Sequence, residues 1–232
     1  MSKSFLGRAR LGLFVIREIS KKKNKLKEQI RISSNSDFLF ESDIIKSVFN
    51  FYLKTYPEPK FLEIFKILIS DLEKNDFISD SSVSKKFEAL YDFNETQYNL
   101  LSKINLLTHT LNCLIYSMLH QDKNTPSNIR EEITILALAH DFGKNSKIKN
   151  IYAKNKHLSH NEISANYLKT ICLKTEIEDE ITKRMFLTLQ NHHNKDNQNN
   201  SFFIIELNKI DRSVREQELF RIEKNIADER IK

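Results

Sequence analysis

Only three glycines and three prolines occur in 232 residues. Tight hairpin turns draw on these residues, so a chain this poor in them supports few strand-to-strand connections. Lys, Glu and Leu, all good helix formers, are plentiful. The expected fold is all-α, a helical bundle with an N-terminal helical extension. The length suits one large domain, or a domain with such an extension.

Residues 4–31 read as one amphipathic helix, ended by Ser33-Ser34-Asn35-Ser36. This segment carries ten Lys or Arg against Glu18 and Glu28, whereas the remaining residues carry 27 basic and 29 acidic side chains. The net charge of +6 therefore belongs to the first 31 residues, which invite an anionic partner, nucleic acid or membrane surface, or else form a solvated extension. Helices are expected over 41–54, stopped by Tyr56-Pro57-Glu58-Pro59, and over 60–74. Residues 75–84 are polar and serine-rich, and a short helix is expected over 83–91. We divide the chain into residues 1–94, the extension, and residues 95–232, the domain carrying the chemistry. Further helices are expected over 95–120, over 128–141, from Ser159 (a capping box with Glu162), from Thr175 (a second box with Glu178) to about 193, and over 201–224.

Cys113 and Cys172 stand alone inside apolar stretches, with no CxxC spacing. They read as small core residues of a cytoplasmic protein. No apolar run reaches the roughly eighteen residues of a membrane span. The N-terminal stretch, interrupted by Arg8, Arg10 and Arg17, does not read as a signal peptide.

All seven histidines lie between His109 and His193. Imidazole and carboxylate are ligands of divalent metals, and several are set here into apolar helices. His140-Asp141 follows Ile133-Thr134-Ile135-Leu136-Ala137-Leu138-Ala139, a segment apolar almost all round. A charged pair at the end of a buried helix is costly unless something binds it. Asp211 shares a helical stripe with Ile204, Leu207 and Val214 and raises the same question. His109 shares a face with Leu106, Cys113 and Tyr116, where a satisfied core histidine is the competing explanation. His157 competes with His160 as a ligand; the capping box and Ser164-Ala165 favour His160. His192 and His193 reach one pocket only if it sits at the helix end; otherwise His193 faces solvent. His120 reads as an ordinary helix-end residue.

The order L-L-T-H-T-L-N, A-L-A-H-D-F-G-K, S-H-N-E-I-S-A, L-Q-N-H-H-N and I-D-R-S-V-R-E resembles the HD-domain phosphohydrolase superfamily, in its two-metal subgroup, over roughly residues 95–220. The resemblance implies a first metal on His109, His140, Asp141 and Asp211. It implies Asp141 bridging to a second metal held by His160, His192 and His193. Asp141 and Lys144 would be catalytic. Lys144, Arg212 and Arg215 would meet the substrate's phosphate, in a reaction that hydrolyses a phosphomonoester or phosphodiester with activated water. Two divalent ions are implied, of Fe, Mn, Ni, Co or Mg, with the histidines favouring the softer ions over Mg. Lys144 also fits as a plain charge at a helix C-terminus, and Arg212 and Arg215 also fit as partners of Glu216 or Glu218. The expected partner is a phosphate-containing small molecule or a nucleic acid. The chain lacks the D-G-x-G-Y-P element of cyclic-di-GMP phosphodiesterases, with Asn194-Lys195-Asp196 in its place. It also lacks the Glu-Asp pair of ppGpp hydrolases. A different class of function, a regulatory or scaffold module that keeps the metal site and works by binding, fits the same residues.

Overall fold

The helix expected over 128–141 forms the centre of the molecule. In the computed structural model, which describes residues 40–83, 95–152, 157–193 and 201–230, every residue from 131 to 143 is buried. The basic helix expected over 4–31, the helix over 83–91 beyond its first residue, and the division at residue 94 lie outside the described residues.

Among the described residues, nine α-helices and one 3-10 turn build the fold. In chain order these are α1 (Asp43–Thr55), α2 (Leu62–Lys74), α3 (Glu95–Leu101), α4 (Leu106–His120), α5 (Ser127–Ala139), the 3-10 turn (Phe142–Lys144), α6 (Ser146–Tyr152), α7 (His160–Lys174), α8 (Asp179–Asn191) and α9 (Phe202–Arg230). The architecture is all-α, as the shortage of turn residues requires, and among the described residues the sole bridge pairs Ser81 with Asn105.

Helices α2, α4, α8 and α9 pack around α5. Its apolar positions, Ile133, Ile135, Leu136, Ala137 and Leu138, join one core with residues from Phe40 to Phe77 and from Leu106 to Val214. Its buried polar groups are paired. Arg184 grips Glu132 through two bonds of 2.7 and 2.8 Å. Tyr56 shares a hydroxyl contact of 2.8 Å with Thr134. Glu131 accepts from the Tyr52 hydroxyl and from the backbone N–H groups of Lys60 and Phe61, the latter two at 2.9 and 2.8 Å. That carboxylate ties α5 to the start of α2 and the end of α1. We expect Glu131→Ala to cost about 3 kcal/mol or more, because three donors lose their acceptor. Thermal denaturation should register a fall of about 6–12 °C.

Two sequence expectations need correction. Residues 95–120 are not one helix: α3 ends at Leu101 and α4 starts at Leu106. The Asn105 side chain accepts the Thr108 N–H at 2.8 Å and caps the new helix. Thr175 does not open a helix. Its N–H bonds back to the Ile171 and Cys172 carbonyls, ending α7, and α8 starts behind Glu178. The Glu178 carboxylate instead meets Lys60 at 2.8 Å. The box at Ser159 forms as expected, with Glu162 bonded to the Ser159 N–H at 2.8 Å and the Ser159 hydroxyl receiving the Glu162 N–H at 3.3 Å.

Candidate metal centre

The site lies where α5 and α8 terminate. His140 and Asp141 follow the last turn of α5, and His192 and His193 follow the last turn of α8. The C-terminal end of a helix carries partial negative charge, so two helix ends face the same point with the polarity that favours a cation. α4 contributes His109, the first turn of α7 contributes His160, and α9 contributes Asp211.

Gly143 brings these parts together. Its N–H donates to the Ser164 hydroxyl at 2.8 Å. A Cβ placed on Gly143 would lie 2.0 Å from the His160 carbonyl oxygen and 2.9 Å from Ile163 Cβ. Only glycine lets the 3-10 turn approach the first turn of α7 this closely. The approach sets Asp141 beside His160.

Asp141 occupies the middle. Its Oδ2 lies 3.6 Å from His109 Nε2, 3.5 Å from His140 Nε2 and 2.9 Å from Lys144 Nζ. Its Oδ1 lies 4.0 Å from His160 Nε2. Asp211 Oδ1 is 3.2 Å from His109 Nε2 and 3.9 Å from His140 Nε2. Ligand atoms of His109, Cys113, His140 and Asp211 fall within 4.8 Å of one another, and so do those of Asp141, His160 and His193. Asp141 thus turns one oxygen toward each group.

The imidazoles have fixed orientations. His109 Nδ1 faces the Glu218 carboxylate at 3.1 and 3.2 Å. His140 Nδ1 faces the Ala137 carbonyl at 2.9 Å, and His192 Nδ1 faces the Leu189 carbonyl at 2.7 Å. At His140 and His192 the acceptor at Nδ1 places the proton there and turns the Nε2 lone pair toward the centre. Among the described residues, His140 Nε2, His192 Nε2 and Asp141 Oδ1 are buried with no hydrogen-bond partner. Native interiors rarely tolerate such atoms. A divalent cation bound by them resolves the cost, and the donor set of imidazole, carboxylate and thiol suits one.

Electrostatics divide the imidazoles: burial and Arg215 push the His109 pKa down, but Cys113, Glu218 and Asp211 outweigh them and hold it well above its ordinary value, so a cation has to displace a proton there, whereas the other rings are ready to ligate. Burial, with Lys144 adding to it, pushes the His160 pKa down to about 3. Burial, helped by neighbouring imidazoles, pushes His192 to about 3 and His193 to about 2. These rings are neutral near pH 7, the form that ligates metals. Burial alone would raise the pKa of Asp141, but His140, Lys144 and His109 outweigh it and hold the carboxyl well below its ordinary range. Burial opposes ionisation of Asp211 too, and His109 and Arg215 overcome it.

All seven residues expected as ligands therefore converge. His160 rather than His157 enters the site: His160 is 8% exposed, whereas His157 faces solvent. His193 also turns inward, its ring 5.4 Å from that of His160. Lys144 reaches Asp141 but also donates to the Ser82 carbonyl at 2.8 Å. Arg215 is buried, 3.7 Å from both Asp141 and Asp211, and donates to the Ser82 hydroxyl and carbonyl at 2.8 and 2.7 Å. Arg212 does not join the centre. It is 69% exposed and pairs with Glu216 at 3.4 Å, one of the two alternatives its spacing offers.

Sequence reasoning passed over three participants. Cys113 was assigned to the core, yet its Sγ stands 3.5 Å from His109 Nε2. Ser82 gives no sequence signal. Glu218 sits seven residues after Asp211, on the same stripe, and that spacing could have singled it out. It also takes a bond of 2.9 Å from Asn112. Glu218→Gln should weaken metal binding about 10–100-fold with the fold intact, as loss of the carboxylate behind a ligating histidine generally does. Metal titration followed by calorimetry measures it; unchanged affinity would assign Glu218 a purely structural role.

The fold and the site together define an all-α protein with a histidine-aspartate cluster fit for a divalent metal. The HD domain family model matches residues 106–228, more than half of the chain, and the chain belongs to that family. No curated protein and no solved structure is significantly similar to it. No helix among the described residues is long and apolar enough to cross a membrane.

Proposed function

We propose that the protein is a metal-dependent phosphohydrolase that cleaves a phosphomonoester or phosphodiester in a nucleotide, cyclic dinucleotide or nucleic acid. The observation that carries this is the set of buried lone pairs, His140 Nε2, His192 Nε2 and Asp141 Oδ1, that have no hydrogen-bond partner among the described residues. Two divalent ions fit the two groups of ligand atoms, with Asp141 shared between them. A divalent ion bound there supplies charge to the phosphoryl group and an activated water for attack at phosphorus.

The chain's own residues supply the rest. His109, His140 and Asp211 hold one side of the centre, and His160, His192 and His193 the other. Lys144 and Arg215 place positive charge at the edge of the cluster, where a phosphate oxygen arrives. Both donate to Ser82, which is fully buried.

The test is elemental analysis of the purified protein, then a phosphate-release screen over nucleotides, cyclic dinucleotides and oligonucleotides with Mn2+ or Fe2+ added. Turnover dependent on added metal supports the proposal. A nuclease should also lose affinity steeply with salt, because phosphates release counterions as they are bound. A mononucleotide hydrolase should not.

One observation favours a second reading, a module that acts by binding. The chain concentrates ten basic side chains in residues 1–31, apart from the near-neutral remainder. An anionic partner would dock there. Full metal occupancy without turnover on any phosphoester, together with loss of partner binding on deleting residues 1–31, identifies that case.

A further inference from the structure

We infer that Cys113 is a thiolate ligand of the cation held by His109, His140 and Asp211, so that this position selects thiophilic ions such as Zn2+, Fe2+ or Co2+ over Mg2+. The inference rests on the metal-centre reading above and deepens it.

Cys113 lies one helical turn after His109 on α4, so the two side chains leave the same face. The thiol is fully buried. Its Sγ, together with ligand atoms of His109, His140 and Asp211, completes a set of four in which no two are more than 4.8 Å apart. Four ligands around a tetrahedral ion, at about 2.3 Å for sulfur and about 2.0–2.1 Å for nitrogen and oxygen, stand apart by about 3.6 Å along a sulfur–nitrogen edge and about 3.3 Å along a nitrogen–oxygen edge. The distances found are 3.5 Å for Cys113 Sγ to His109 Nε2 and 3.2 Å for His109 Nε2 to Asp211 Oδ1. The His140 Nε2 to Asp211 Oδ1 edge, at 3.9 Å, is longer, and a side-chain adjustment of about half an ångström brings it to the tetrahedral value.

A second, independent observation points to a ligand at this place. His140 Nε2 is buried, has no hydrogen-bond partner among the described residues, and directs its lone pair toward the Asp141 and Asp211 carboxylates. The other cysteine provides the contrast. Cys172 is also buried, but its Sγ meets the Met185 sulfur at 3.9 Å and no cluster of imidazoles. An ordinary packing cysteine has surroundings like those of Cys172.

Charge favours the assignment. With Asp141 shared between two ions, one thiolate and two carboxylates set three negative charges against the four positive charges of a divalent pair. On binding, the Cys113 thiol gives its proton to solvent and a sulfur–metal bond replaces the S–H bond. Hard ions such as Mg2+ gain little from sulfur, so the sulfur ligand biases the centre toward softer metals.

The experiment strips the full-length protein with a chelator and reloads it with Co2+. The wild-type absorption spectrum should show a thiolate-to-cobalt charge-transfer band in the near ultraviolet beside the visible d–d bands. Cys113→Ser should keep d–d bands and lose the charge-transfer band; Cys172→Ser should keep both. X-ray absorption of the Zn2+ form should place sulfur at about 2.3 Å, one per protein molecule. Visible bands without charge transfer in the wild type overturn Cys113 ligation and leave the metal centre standing. Failure to take up Co2+ at all overturns both. If Cys113→Ser does not fold by circular dichroism, the wild-type X-ray absorption decides alone: sulfur at that distance supports the inference, and nitrogen and oxygen only overturn it.

Discussion

Asp141→Ala is expected to abolish metal content and phosphoester turnover together. Both oxygens of this carboxylate are engaged, one toward His109 and His140, the other toward His160. Changes behind a ligand already cost about 10–100-fold in affinity, and removing the shared ligand costs more. The substitution also takes the charge partner from Lys144, whose ammonium lies 2.9 Å from Asp141 in a pair that is nearly wholly buried, and leaves it the Ser82 carbonyl. Breaking a buried pair from one side costs about 3–5 kcal/mol. Asp141→Asn, which keeps the shape, separates the two effects: a folded but metal-free protein assigns the loss to ligation. Elemental analysis, phosphate release and a thermal melt are the three measurements. Full metal content and full turnover in Asp141→Ala would end the case for the centre.

Gly143→Ala carries the second large effect, although one methyl group is added. The new carbon would sit 2.0 Å from the His160 carbonyl oxygen and 2.8 Å from its carbonyl carbon. Both are backbone atoms in the first turn of α7, and they cannot swing aside as a side-chain tip does. Either α7 or the 3-10 turn must move. We expect a loss of about 3 kcal/mol, at the upper end of overpacking costs, seen as a fall of about 6–12 °C in Tm. Metal content should drop as well, since Asp141 and His160 separate when the two backbones part. Ser164→Ala, which removes only the hydroxyl bonded to the Gly143 N–H, should cost about 1 kcal/mol and keep its metal. A Gly143→Ala protein with wild-type Tm and metal content would show that the close approach is not needed.

Much of this was legible in the sequence for a physical reason. A buried helix needs apolar residues on every side, and Ile133 to Ala139 supply them, so His140 and Asp141 stand out at its end. The capping box at Ser159 is a local device and reads correctly because its partners are three residues apart. The expectations that failed also failed locally. Leu100, Leu101, Ile104, Leu106 and Leu107 continue an apolar pattern through the break between α3 and α4, and a single Asn105 is a weak signal against it. Thr175 and Glu178 have the spacing of a box, but Thr175 is spent locally on the end of α7 and Glu178 on a tertiary contact with Lys60. Ser82 could not be read at all, because its role arises from Arg215, 133 residues later. Cys113 was legible only as a neighbour of His109 on one helix face, since Asp211 and His140, which make it more than a packing residue, come from other helices.

His109 and Glu218 are 109 residues apart and meet across the cluster. During synthesis, the ligand group that includes Asp211 stays incomplete until the segment bearing Asp211 and Glu218 has left the ribosome, whereas Asp141, His160 and His193 are all made earlier. On the proposed reading, filling of the Asp211 position is therefore a late event, and the nascent chain collapses there around uncompensated acids and imidazoles first. A cell short of the right ion would accumulate chains that are assembled yet loose around α5, and protease sensitivity would report its supply.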